Sequence, residues 1–260
     1  MITSTTNPRI QAARRLRRRS GRDDAGEYLL EGARAVAAAL DAGAPVRAVF
    51  LDPEGAAADA VEAAAARAGL PVTHVSERVV AALSESPSPQ GAVAVMVAPR
   101  DCLDSVGEID LVLVLAGVAD PGNAGTLVRS AVAARAGAVV FTKGSVDVTN
   151  SKTVRAAAGN LWHVPIVRDA DIAEVGAGLK ARGFTILGAD ASAPRGHHEV
   201  DLRGPVALVV GNEAWGLPDD ARALLDDVVS IRMPGPAESL NAAIAGSLLL
   251  FEAVRQRSDG

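Results

Sequence analysis

Short apolar runs recur along the whole chain, separated by polar, glycine-bearing breaks, and their spacing divides it into two successive strand–helix series. In the first, residues 28–30, 46–51, 72–75 and 92–97 read as strands. Helical spacing falls between them at 33–40, 56–68 and 77–83, with Gly43 and Gly69 as helix stops. This alternation predicts a small α/β domain. Ahead of it, Asn7-Pro8 opens a basic helix over 9–19, with Ile10, Ala13 and Leu16 at helical spacing, and 20–26 reads as a polar loop. In the second series the strands are 111–115, 139–141, 164–167, 184–187, 206–210 and 228–231. Several are unbroken aliphatic runs, as expected of parallel strands buried on both faces. Helices near 124–136, 153–158, 171–181, 219–225 and 240–254 fall between or after them. The pattern therefore predicts an α/β chain with an N-terminal domain at 1–98, a polar linker at 99–110 and a parallel-sheet domain at 111–260. No internal repeat interrupts it.

Charge changes this picture more than composition does. The chain of 260 residues is 49% hydrophobic and 22% charged, enough to bury a core. Its net charge of −5 does not mark a nucleic-acid binder, but the distribution is uneven. Arg9, Arg14, Arg15, Arg17, Arg18, Arg19 and Arg22 stand in the first 22 residues without an acid, and the remainder is net −12. Such a segment is either a phosphate-binding surface or a solvated terminal helix. The single cysteine, Cys102, excludes an internal disulfide and fits a reducing cytoplasm. The longest aliphatic run is far short of the ~20 residues that span a bilayer. The histidines lack metal-ligand spacing, and no Gly-x-Gly-x-x-Gly follows a strand, which argues against a nicotinamide dehydrogenase.

The candidate chemistry sits where strands break into glycine loops, the place where open α/β sheets bind ligands. The strand at 206–210 runs into Gly211-Asn212-Glu213 and then Trp215-Gly216-Leu217-Pro218. The strand beginning at 228 stops at Pro234-Gly235-Pro236, and Ser239-Leu240-Asn241 opens the last helix. Glycine lets a ligand approach the backbone, whose N–H and C=O groups can read an adenine edge. Upstream, Asp120-Pro121-Gly122-Asn123 is followed by Arg129, six residues past the asparagine. These three stretches, in this order, resemble the motifs of the SpoU/TrmH family of RNA ribose 2′-O-methyltransferases. More loosely, the order of elements at 24–98 and the Leu30-Glu31-Gly32-Ala33-Arg34 start resemble the ribosomal-protein-L30e-like domain that many members carry.

The resemblance implies S-adenosylmethionine as cofactor, no metal, and structured RNA as substrate, ribosomal RNA first and transfer RNA as the alternative. A non-catalytic RNA-binding member of the fold is the rival from another class. The resemblance also implies a trefoil knot, which ordinary topology rules would not supply. It assigns Arg129, Asn123, Glu213, Ser239 and Asn241 to the catalytic site, and Gly211, Ile231, Met233, Leu240 and Leu217 to the cofactor pocket. Plainer roles stand beside these: Asn123 and Ser239 as helix N-caps, Asn241 as a first-turn polar residue, Glu213 as a structural carboxylate and Arg129 as a surface charge. Because a guanidinium stays protonated, Arg129 suits a phosphate clamp and electrostatic activator better than a base. Arg14, Arg15, Arg17, Arg18, Arg19 and Arg155 are the RNA-binding residues, or else solvated charges. The last helix, with Ile244, Leu248, Leu249 and Phe251, is either a homodimer surface or an ordinary core helix.

Overall fold

A computed structural model describes residues 1–258. The chain forms two compact units, one of residues 1–98 with 149–162 and the other of 99–148 with 163 onward.

The first unit holds a four-stranded sheet. Strands β1 (Glu27–Glu31), β2 (Val46–Leu51), β3 (Val72–His74) and β4 (Ala92–Val97) lie in the order β1-β4-β2-β3. Helices α3 (Ala33–Asp41), α4 (Ala58–Arg67) and α5 (Glu77–Leu83) connect them. At the N-terminus the structure corrects the single basic helix. Helix α1 (Pro8–Arg15), capped by Asn7, ends early, and α2 (Arg19–Ala25) replaces the expected loop. Arg22 explains the break. Its buried guanidinium donates to the Leu16 and Arg17 carbonyls, both at 3.2 Å, and to Thr149 Oγ1 at 3.2 Å. Carbonyls left open at the end of α1 are thereby satisfied from within. Gly21 permits the close turn, since a Cβ there would lie 2.2 Å from the Arg15 carbonyl oxygen.

Residues 149–162, which the strand–helix pattern counted with the second domain, pack in the first unit instead. They carry α7 (Ser151–Ala156). Beyond the Arg22–Thr149 contact, the Ser151 hydroxyl donates to Glu85, and Arg155 pairs with Glu31 at 3.8 Å. Thr153, Val154, Ala157 and Leu161 are buried.

The second unit is a six-stranded, fully parallel sheet. Its strands are β5 (Leu111–Leu115), β6 (Ala138–Thr142), β7 (Ile166–Ala170), β8 (Thr185–Ala189), β9 (Val206–Val210) and β10 (Asp227–Val229). Their order is β10-β8-β9-β5-β6-β7. Every residue of β5, β6 and β9 is buried, as the unbroken aliphatic runs predict. Helices α6 (Pro121–Ala133), α8 (Ile172–Ala181), α9 (Asp219–Arg222) and α10 (Ala242–Ser258) complete the unit. The segment read as a linker is built into it: Leu103 joins the core, Asp101 accepts the Ile166 N–H at 2.9 Å, and Arg182 donates to the Leu103, Val106 and Gly107 carbonyls. Strands β9 and β5 pair in register from Leu111↔Val206 to Leu115↔Val210, so the loops at their C-terminal ends emerge side by side. The order of strands reverses at this pair, the position at which such sheets bind ligands. Helix α10 packs against α6, where Gly246 leaves room for Leu127 and the Ser130 and Ser247 hydroxyls meet at 2.7 Å.

Candidate active site

The loop after β9 is fixed by its own backbone. The Asn212 N–H donates to the Gly216 carbonyl at 2.8 Å, and the Gly216 N–H returns to the Asn212 carbonyl at 2.9 Å. Gly216 takes φ 72°, which glycine adopts without strain. Gly211 is enclosed by the same turn, since a Cβ would fall 2.4 Å from the Gly216 carbonyl group. The buried Asn212 side chain ties the loop to the one after β5. Its Nδ2 donates to the Gly117 carbonyl at 2.8 Å and its Oδ1 accepts the Ala214 N–H at 2.8 Å.

Three of the catalytic residues expected from the motifs meet in one hydrogen-bonded relay. Asn241 Nδ2 donates to Asn123 Oδ1 at 2.8 Å, and Asn123 Nδ2 donates to Glu213 Oε1 at 2.9 Å. Glu213 also accepts the Ala119 N–H at 3.1 Å and the Asp120 N–H at 3.2 Å. Partial burial alone would push the Glu213 carboxyl up, but the donors from Asn123 and the backbone prevail and hold it below the usual range. This carboxylate is a structural anchor between two loops. Within the chain its partners are Asn123 and the 119–120 backbone.

The helix caps also differ from expectation. Asp120 caps α6 by accepting the Asn123 N–H at 2.8 Å, with Pro121 following it, so Asn123 is a first-turn residue. Asn241 caps α10 by accepting the Ala243 and Ile244 N–H groups, so Ser239 does not. An acid directly before a proline at a helix start is a capping signature that could have identified Asp120. Arg129 is exposed and has no hydrogen bond or ion pair among the described residues.

Gly211, Leu217, Ile231, Met233 and Leu240, the five expected cofactor residues, line one cavity of about 340 Å³ together with Glu213 and Ser239. The volume lies in the range of about 300–1,000 Å³ typical of small-molecule sites. Its lining combines the apolar side chains of Leu217, Ile231, Met233 and Leu240 with the 211–217 turn, which suits a ligand with an apolar body and an edge of hydrogen-bonding groups. Asp190 and Arg222, which sequence reading missed, form an ion pair at its lining. Hydrogen bonds from the Ser192 hydroxyl and N–H, and then from Arg222, hold Asp190 below its ordinary value. Among the described residues no His, Cys, Asp and Glu cluster has the makings of a metal site, and no helix is long and apolar enough to cross a membrane.

In the first unit Arg14, Arg15, Arg17 and Arg18 surround an open cleft of about 790 Å³. All are exposed. Arg17 lies 3.8 Å from Glu85, and Arg19 pairs with Asp23 at 3.5 Å. Arg22 is buried and not available to a ligand.

Residues 110–251 match the SpoU rRNA Methylase family model, and residues 7–94 match the MRM3-like substrate binding domain. The chain is 31% identical to the 23S rRNA (guanosine(2553)-2′-O)-methyltransferase RlmP of Bacillus subtilis, over 96% of this chain and 97% of that one. It is 33% identical to the 23S rRNA (uridine(2479)-2′-O)-methyltransferase of Streptomyces viridochromogenes, over 93% and 87%. Among solved structures, the SpoU methyltransferase AviRb of S. viridochromogenes, in complex with AdoMet, superimposes with a TM-score of 0.87 at 32% identity, covering 98% of this chain and 99% of that one. With two of the three loop motifs lining one cavity and the third tied to them through Asn123, these matches establish that the chain belongs to the SpoU rRNA methylase family.

Proposed function

We propose that this protein transfers a methyl group from S-adenosylmethionine to a ribose 2′-hydroxyl of 23S ribosomal RNA. It is an RNA ribose 2′-O-methyltransferase, and the observation that carries the reading is the Asn241–Asn123–Glu213 relay, which joins all three motifs beside one cavity. Relatives matched over nearly their full length, named as 23S rRNA 2′-O-methyltransferases, support it. The cavity fits the cofactor: Leu217, Ile231, Met233 and Leu240 supply an apolar wall, and the turn from Gly211 to Leu217 presents backbone groups. S-adenosylmethionine supplies the electrophilic methyl group when bound there.

The chain's own residues position the acceptor and stabilise charge. A ribose 2′-hydroxyl is a weak acid, so its oxygen needs developing negative charge stabilised during transfer. Arg129, exposed and unpaired, is free to clamp an RNA phosphate and supply that stabilisation. Asn123 and Glu213 hold the loop from which α6 and Arg129 start. The arginine cleft of the first unit engages RNA backbone. Helix α10 buries Leu249, Leu250 and Ala253 but leaves Ile244, Leu248 and Phe251 52%, 42% and 48% exposed at i, i+4 and i+7. This stripe is the homodimer surface. The knot implied by the resemblance, and action in the cytoplasm, belong to the same reading.

Calorimetry should show S-adenosylmethionine or its demethylated product binding. A 23S rRNA fragment carrying a 2′-deoxy target nucleotide should bind within a few fold of the natural fragment yet accept no methyl. Methylation of the deoxy fragment would move the acceptor to the base. Tight NADH binding with no response to S-adenosylmethionine would sink the reading entirely.

A further inference from the structure

Trp215 is held outward at the cavity with 73% of its surface exposed. The sequence contains only two tryptophans, one tyrosine and four phenylalanines, so an exposed indole here is conspicuous. Its indole N–H has no hydrogen-bond partner among the described residues. The ring is not on a loose loop. It sits inside the turn closed by the paired Asn212 and Gly216 backbone bonds, next to Ala214, whose N–H is held by Asn212, and two residues from the anchored Glu213. A rigid mount carrying a large, unsatisfied aromatic face is a preorganised contact.

Building on the methyltransferase reading, we propose that Trp215 is a stacking platform for a nucleobase of the RNA substrate, at or beside the nucleotide being methylated. A nucleotide whose ribose is brought against the methyl donor has its base pulled from the stack of its neighbours, and an aromatic side chain at the cavity restores the stacking. Stacking is tolerant of base identity, so Trp215 contributes affinity and placement, while other contacts choose the base. Trp215 itself lines the cavity, but Leu217, Ile231, Met233 and Leu240 supply apolar lining besides it. The dimer stripe of Ile244, Leu248 and Phe251 is on α10, a different element.

The test compares wild type with Trp215→Ala, Trp215→Phe and Trp215→Tyr, using unmodified 23S rRNA and S-adenosylhomocysteine as separate probes. Trp215→Ala should raise KM for the RNA about five- to a hundredfold, the range that base–aromatic stacking commands. Its affinity for S-adenosylhomocysteine should stay within twofold, and the aromatic replacements should recover most of the deficit. Tryptophan fluorescence of the wild type should be quenched by RNA, and that component should vanish in Trp215→Ala. An unchanged RNA KM overturns the proposal. So does a defect confined to S-adenosylhomocysteine affinity, which would make the indole a cofactor cover, or dissociation of a dimer, which would make it an interface residue. If wild type itself neither binds S-adenosylhomocysteine nor methylates the RNA, the underlying methyltransferase reading falls, and this proposal with it.

Discussion

Asn123→Asp keeps the shape of the relay and removes the donor of one of its bonds. The wild-type amide accepts from Asn241 Nδ2 at 2.8 Å and donates to Glu213 Oε1 at 2.9 Å. A carboxylate still accepts from Asn241 but sets oxygen against oxygen at Glu213. Two unit charges about 3 Å apart repel by about 5 kcal/mol at an effective dielectric of ~20. The pair can escape by keeping one proton, which at pH 7.5 costs about 4 kcal/mol for a carboxyl of ordinary value near 4.3. Solvent at the exposed Glu213 screens the repulsion to about 2–3 kcal/mol, below the cost of the proton, so the screened repulsion sets the deficit at pH 7.5. Because the folded pair has a raised pKa, its stability is intact below the unfolded carboxyl value and lost as pH rises through the folded one. The deficit should therefore shrink from pH 7.5 towards pH 4. Asn123→Ala should lose about 2–3 kcal/mol at all pH values from 5 to 8, since it removes a hydrogen bond to a charged group and strands Asn241. Urea unfolding of the three proteins at pH 5, 6, 7 and 8 reads this directly. Parallel pH profiles for wild type and Asn123→Asp would refute the relay.

Other outcomes follow from the same geometry. Arg129→Ala should abolish methyl transfer while calorimetry shows cofactor affinity nearly unchanged; full activity would remove Arg129 from the mechanism. RNA affinity should fall steeply with salt, and replacing Arg14, Arg15, Arg17 and Arg18 by Ala should flatten the log–log slope by about one for each phosphate no longer neutralised; an unchanged slope would reduce the cleft to a solvated surface. Phe251→Glu with Leu248→Glu should yield monomers in sedimentation, with the fold intact by circular dichroism.

The second sheet was legible because β5 and β9 are short unbroken aliphatic runs bounded by turn residues, the pattern of strands covered on both faces. The cavity wall was legible because glycine and proline mark strand ends. What escaped depends on distant partners. Helix α2 is polar and contains Gly21, so its periodicity is weak, and it is held by Arg22, which reaches Thr149 across 127 residues. The strand at 164–167 shifted to Ile166–Ala170 and that at 228–231 to Asp227–Val229, because edge strands carry polar residues that blur the pattern. Cap identity was misread because Asn123 and Ser239 are good capping residues by type, whereas Asp120 and Asn241 hold the geometry.

The excursion of residues 149–162 into the first unit means the polypeptide passes between units three times, after 98, 148 and 162. No single cut separates them. A fragment beginning near residue 105 would carry Thr153, Val154, Ala157 and Leu161 without the surface that buries them, and the discarded half would keep Arg22, Glu31 and Glu85 without theirs. Exchanging the first unit between members of the family would therefore require transplanting two pieces of chain, 1–98 and 149–162, as a matched set. The family-model boundary near residue 110 marks a stretch of shared sequence, and the physical module ignores it.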